Sequence, residues 1–174
     1  MSEPTPIGAD VVIPPPGSKL AARLRLAVLR TRFRKSLGTG RDVHVAPGAR
    51  IQIDNGGVVV LGDGVLLGPG CRIEADGGGV TIGEGARLGA RSVIVALAGV
   101  AIGPQAVVGD WAMVTDAEQT APDVEAPIRE QPVVPRAVEI GAGARIGAHA
   151  AILAGARVAD REAVASYAVL TGDP

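Results

Sequence analysis

The chain has 174 residues, enough for one continuous core, and 47% of them are apolar while only 2% are aromatic, so that core must be narrow and filled by small or branched side chains. The 25 Gly and 13 Pro would signal disorder in a polar chain, but they accompany a positive mean hydropathy and read as corners between buried strands. One cysteine, Cys71, excludes an internal disulfide and a cysteine-built zinc cluster, and a formal charge of −1 hides eight Lys or Arg between Val11 and Arg41 with no Asp or Glu among them.

The opening MSEPTPIGAD lacks the charged-then-apolar run of a secretory signal, and no apolar stretch approaches membrane-span length, so a cytoplasmic protein is expected. Ile7-Gly8 and Val11 with Ile13 fit a lone extended segment before Pro14-Pro15-Pro16. Ser18 to Lys35 reads as a helix, with Ser18 as N-cap and Gly38 just beyond its end. Leu20, Leu24, Ala27, Val28 and Leu37 are expected on one side of it, with arginines around them. Two roles stay open for this basic amphipathic helix in the extension 1–38: a cap on the solenoid that follows, or peripheral contact with an anionic (inner) membrane surface through residues 19–35. Nucleic acid is not expected as a partner, because no aromatic platform accompanies the charge.

From there on the chain repeats every six residues. Aliphatic anchors recur at Val45 and Ile51; at Leu61, Leu67 and Ile73; at Ile82, Leu88 and Ile94; at Ile102, Val108 and Val114; and without interruption from Ile140 through Ile146, Ile152, Val158 and Val164 to Leu170. Gly follows many anchors (Gly62, Gly83, Gly103 and Gly147 among them) and is expected to permit a sharp corner. A small residue two before each anchor (Val65, Cys71, Ala86, Ser92, Ala150) points inward with it, Glu162 being the exception. The step lengthens once per triplet, at Asp54-Asn55-Gly56-Gly57 and Asp76-Gly77-Gly78-Gly79, which places insertions at one corner of a three-sided coil. The fold predicted over 39–174 is an all-β, left-handed parallel β-helix, preceded by the short helix and interrupted by a protruding loop at about 115–134.

This pattern resembles the hexapeptide-repeat acyltransferase superfamily over nearly all of the chain after about residue 38. Its loop is most similar to that of the maltose/galactoside-type O-acetyltransferases: Asp116-Ala117-Glu118-Gln119, then Asp123, Pro127-Ile128 and Gln131, with re-entry through Ala137-Val138-Glu139-Ile140-Gly141 and Ala144-Arg145-Ile146-Gly147. The resemblance implies a homotrimer with acetyl-CoA or another acyl-CoA in grooves between subunits, no metal, and a sugar or glycan hydroxyl as acceptor. The groove would be carried by Arg145, Gly147, Ala148, Ala165, Ser166 and Thr171.

The sequence departs from the family at several of these points. Loop histidines act there as general base, imidazole being suited by its near-neutral pKa, and here Ala117 and Gln119 fill both positions. Arg145 replaces the usual Trp, Tyr167 stands where Gly is common, and Gly172 replaces a Lys. The remaining candidates for the base are His149, at an outward corner three residues after Ile146, and the loop carboxylates Asp116 and Glu118. His44 reads as an outward strand residue, Cys71 as a core thiol, and Trp111 as a corner residue. His44 and His149 are too few and too far apart for the three-histidine zinc site of the β-helical carbonic anhydrases. Two functions follow: a divergent acyl-CoA-dependent O-acyltransferase, or a trimer that kept the scaffold and lost the chemistry.

Overall fold

The computed structural model of the chain describes residues 19–119 and 133–172. The extended segment expected near Ile7 to Ile13, the Ser18 cap, and Asp123, Pro127, Ile128 and Gln131 lie outside the described residues. Three parallel sheets of six strands each form the faces of a β-helix, as the six-residue repeat predicts. The first face begins with Leu37–Thr39 and Val58–Leu61, the second with His44–Val45 and Leu66–Leu67, and the third with Arg50–Asp54 and Arg72–Asp76. Successive coils pair anchor on anchor, as in Ile51↔Ile73 and Val108↔Ile146. Alternation does the sorting: in Gly79–Ile82, Val80 and Ile82 are buried while Thr81 is exposed.

The bore is filled by layers of Val, Leu, Ile and Ala, and among the described residues Ser92 and Asp116 are the buried polar ones. Ser92 Oγ donates to the Gly89 carbonyl at 2.9 Å, so its inward position costs no lost hydrogen bond. Glu162, the irregular inward position, stays exposed and folds back to accept the Ala159 amide at 2.7 Å. Cys71 is buried in the core, and burial pushes its thiol up to about 12.

The corner glycines have a reason other than the one the sequence suggested. Gly103 and Gly147 follow their anchors but do not adopt left-handed backbone; a Cβ on Gly103 would lie 2.6 Å from the Ala142 nitrogen in the next coil. The left-handed residue comes two positions later, where His149 follows Gly147 with φ 58°. Glycine after the anchor therefore permits close stacking of coils, and the turn itself is made beyond it.

All lengthened steps fall on the corner between the third and first faces. The protruding loop leaves there too, after Met113–Thr115, and returns in Val138–Ile140. Its two stems, Ala117–Gln119 and Val133–Pro135, form an antiparallel ladder outside the solenoid.

The helix spans Lys19–Arg32 and lies against the first coil. Its solenoid side is not the side expected. Ala22 and Leu26 are buried, with Leu29 and Phe33 packed against the core, whereas Leu20, Leu24 and Val28 face away and are 82%, 67% and 60% exposed. Leu37 belongs to the first strand and not to the helix stripe. Among the described residues the first strands have no strand neighbour on their outer edge, and arginines of the helix supply donors to them. Arg25 Nη1 donates to the Val45 carbonyl at 3.2 Å and Arg30 Nη2 to that of Gly40 at 3.3 Å. At the neighbouring corner Asp63 accepts the backbone amide of Arg41 at 2.8 Å and its guanidinium at 2.6 Å, and these bonds hold the carboxyl below its ordinary range.

Two glycines separate close stacking from backbone freedom. Gly103→Ala should lower stability by about 1–3 kcal/mol through the enforced clash, whereas Gly79→Ala, with open space around the new methyl, should stay within about 0.5 kcal/mol of the parent. Urea unfolding of the two variants checks this. Ellman's reagent should leave Cys71 unmodified in the native protein at mildly alkaline pH and react fully once urea unfolds it.

Candidate active site

The corner between the second and third faces carries a ladder of residues three positions beyond successive anchors. Arg91, Trp111, His149 and Tyr167 all adopt left-handed backbone, with φ of 53°, 58°, 58° and 62°. Each left-handed residue disfavours the fold by about 1–3 kcal/mol on its own and must be fixed by its surroundings. The backbone does part of this: Trp111 N donates to the Ala90 carbonyl, His149 N to that of Asp110, and Tyr167 N to that of Ala148. Asp110 Oδ1 returns the link by accepting the Ala90 amide at 2.7 Å.

The side chains do the rest. The imidazole of His149 stacks between Trp111, at 6.1 Å between ring centroids, and Tyr167, at 4.9 Å, with planes within 6° and 1° of parallel. The Arg91 guanidinium lies 4.8 Å from the centre of the Trp111 ring. Both faces of the imidazole are thus covered by aromatic neighbours, worth about 0.5–1.5 kcal/mol each. The residue as a whole remains exposed, so the ring edge with its two nitrogens meets solvent. A fixed imidazole with a free edge can accept a proton from a hydroxyl brought to that edge.

The groove residues implied by the family resemblance fall partly on this corner. Gly147 and Ala148 precede His149, and Ala165 and Ser166 precede Tyr167 one coil on, where a Cβ on Gly147 would meet the Ser166 nitrogen. Arg145 stands exposed on the second face, paired with Val107 and Ala163, and Thr171 lies beyond the third-face strand that ends at Leu170.

The loop carboxylates lie on another corner. Asp116 is fully buried, and its two oxygens accept the amides of Leu97 at 2.8 Å, Ala98 at 2.7 Å and Gly99 at 2.6 Å. A carboxylate so engaged clamps the preceding corner at the point where the loop departs. Glu118 sits in the first stem strand of the loop, between Ala117 and Gln119. His44 lies under the N-terminal helix with a buried Nε2 that has no hydrogen-bond partner among the described residues. No group of three His, Cys, Asp or Glu suited to a metal occurs among the described residues. The ladder is accessible to register arithmetic, since Trp111, His149 and Tyr167 each stand three residues beyond an anchor, but the stacking itself joins residues 18 to 38 positions apart.

No family model matches the chain. It is 28% identical over 142 residues to the probable acetyltransferase Rv3034c of Mycobacterium tuberculosis, a match covering 82% of this chain. The chain spans 45% of the length of that relative. Among solved structures, a variant of AntD, an N-acyltransferase from Bacillus cereus in complex with dTDP and coenzyme A, superposes with a TM-score of 0.60 at 21% identity, covering 85% of this chain and 84% of that one. The acetyltransferase domain of PglB from Neisseria gonorrhoeae superposes with a TM-score of 0.53 at 17% identity, covering 88% of this chain and 64% of that one. At these identities the two structures share the fold.

Asp116→Ala strands three backbone amides and should cost about 3 kcal/mol of stability, measured as a lowered urea midpoint. An unchanged midpoint would show that the clamp is dispensable.

Proposed function

The repeat and the solenoid it builds fit the hexapeptide-repeat acyltransferase superfamily, and on that premise we propose that the chain is an acyl-CoA-dependent O-acyltransferase acting on a sugar or glycan hydroxyl. The observation that carries this reading is the exposed edge of His149, held between Trp111 and Tyr167 on the corner that bears Gly147, Ala148, Ala165 and Ser166. Acyl-CoA as co-substrate is supported by the AntD complex with coenzyme A and by a second AntD complex with dTDP and 3-hydroxybutyryl-CoA.

In the proposed reaction the acceptor oxygen attacks the thioester carbonyl carbon while a His149 ring nitrogen takes the hydroxyl proton. Backbone amides along the groove steady the oxyanion. Collapse of the tetrahedral intermediate expels the CoA thiolate, which recovers the proton from the imidazolium. Asp116 is left to its structural clamp, because both its oxygens are already bonded to amides.

A homotrimer belongs to the same reading. On the outer side of the third face, beside the ladder, Val93, Met113, Ala151 and Val169 align coil upon coil. Met113 and Val169 are 40% and 66% exposed in the single chain, and a neighbouring subunit would cover such a row. It would also bring the loop corner of one subunit towards the ladder corner of the next, which a single prism keeps apart.

The second reading, a non-catalytic trimer, is favoured by Ala117 and Gln119 in the loop stem. Acetyl-CoA turnover with a panel of sugar acceptors, followed by release of free thiol, separates the two. Turnover is expected, with kcat falling about 100-fold or more in His149→Ala; unaltered kcat in that variant removes His149 from the mechanism. Transfer confined to amino sugars would correct the acceptor from oxygen to nitrogen. Calorimetry showing no binding of CoA or acetyl-CoA at millimolar ligand would leave the scaffold reading.

A further inference from the structure

The helix carries two apolar faces, and the solenoid uses one. Ala22 and Leu26 are buried against the first coil, while Leu20, Leu24 and Val28, at i, i+4 and i+8, form a stripe on the opposite side. Leu20, Leu24 and Val28 stand in line and are all more than half exposed, and among the described residues nothing packs over them. The stripe is also fixed in direction. Arg25 and Arg30 hold the helix by hydrogen bonds to Val45, Thr39 and Gly40, so it cannot roll to hide the stripe without breaking them.

Charge narrows the choice of what lies against it. Arg23 on one flank and Arg32 on the other border the stripe, and both are exposed; Arg34 and Lys35 follow, also exposed. No acidic residue occurs between Val11 and Arg41, whereas the described residues beyond Arg41 hold eight basic against twelve acidic residues. The molecule therefore has a cationic end with an apolar ridge and an anionic body. A partner must accept aliphatic side chains between arginines while repelling the body, which describes an anionic bilayer met end-on.

We propose that the helix docks this protein on an anionic lipid surface through Leu20, Leu24 and Val28, with Arg23 and Arg32 at the headgroups and the solenoid axis directed away from the membrane. No helix among the described residues is long and apolar enough to cross a membrane, so the contact is interfacial. The corner ladder then stands clear of the bilayer, several coils above it.

The test uses the full chain and vesicles of phosphatidylcholine, alone or with about one third phosphatidylglycerol, read by co-sedimentation. Binding to the anionic vesicles only, weakening as salt is raised, is the expected result. The triple variant Leu20→Ser, Leu24→Ser, Val28→Ser should keep the parent's unfolding midpoint, since these side chains are exposed, and lose about tenfold or more in partitioning. Arg23→Glu with Arg32→Glu should lose binding to a similar extent. Failure of the parent to bind anionic vesicles overturns the proposal, as does equal binding by the triple variant. A parent oligomer that falls apart in the triple variant without lipid would give the stripe to a second copy of the chain and overturn it as well.

Discussion

Everything in this molecule follows from how closely one coil lies on the next. At the corners the backbones approach until no Cβ fits, and the row of glycines after the anchors marks that limit. Strands only two to five residues long could not hold together as separate hairpins; they hold because every strand between the two ends of the solenoid pairs with the coil before and the coil after, along three faces at once. The tight spacing also explains the near absence of aromatic side chains inside. A layer about 5 Å thick accommodates Val, Ile, Leu and Ala; Trp111 and Tyr167 stand on the outside of a corner, and Phe33 packs on the core from beyond the helix.

Placed outside, those rings acquire the spacing of the coils beneath them. Trp111, His149 and Tyr167 stack because the backbone sets them one above another, and their contact in turn holds three non-glycine residues in left-handed conformation. The acidic residues at corners serve the same vertical order. Asp63, Asp110 and Asp160 each accept an amide from the coil before, and Asp116 accepts three. Polar side chains act here as rungs between coils, supplementing the strand ladders where the chain turns and cannot pair regularly.

How far this was legible in the sequence depended on the range of the interaction. The six-residue step is local and redundant, so the anchors from Val45 to Leu170 placed strands, faces and the insertion corner correctly. The docked face of the helix is not legible, because hydrophobicity alone selects Leu20, Leu24 and Val28, whereas docking depends on Ala22 fitting closely and on Arg25 and Arg30 reaching carbonyls 20 and 10 residues away. Asp116 looked like a free loop carboxylate; its partners are amides 17 to 19 residues earlier, which no local pattern reveals. The glycines after the anchors stand out in the sequence and suggest turning, not closeness, because a sequence shows that a side chain is missing but not what occupies its place.

The corner between the third and first faces has taken up every extra residue in the described solenoid while the other two corners keep strict step. Length there is decoupled from the interior: a segment can grow outward as a two-stranded arm, as at Ala117–Gln119 and Val133–Pro135, and the anchors on either side still meet their partners. Such a seam lets the exterior diverge freely in size and chemistry on an unchanging shaft.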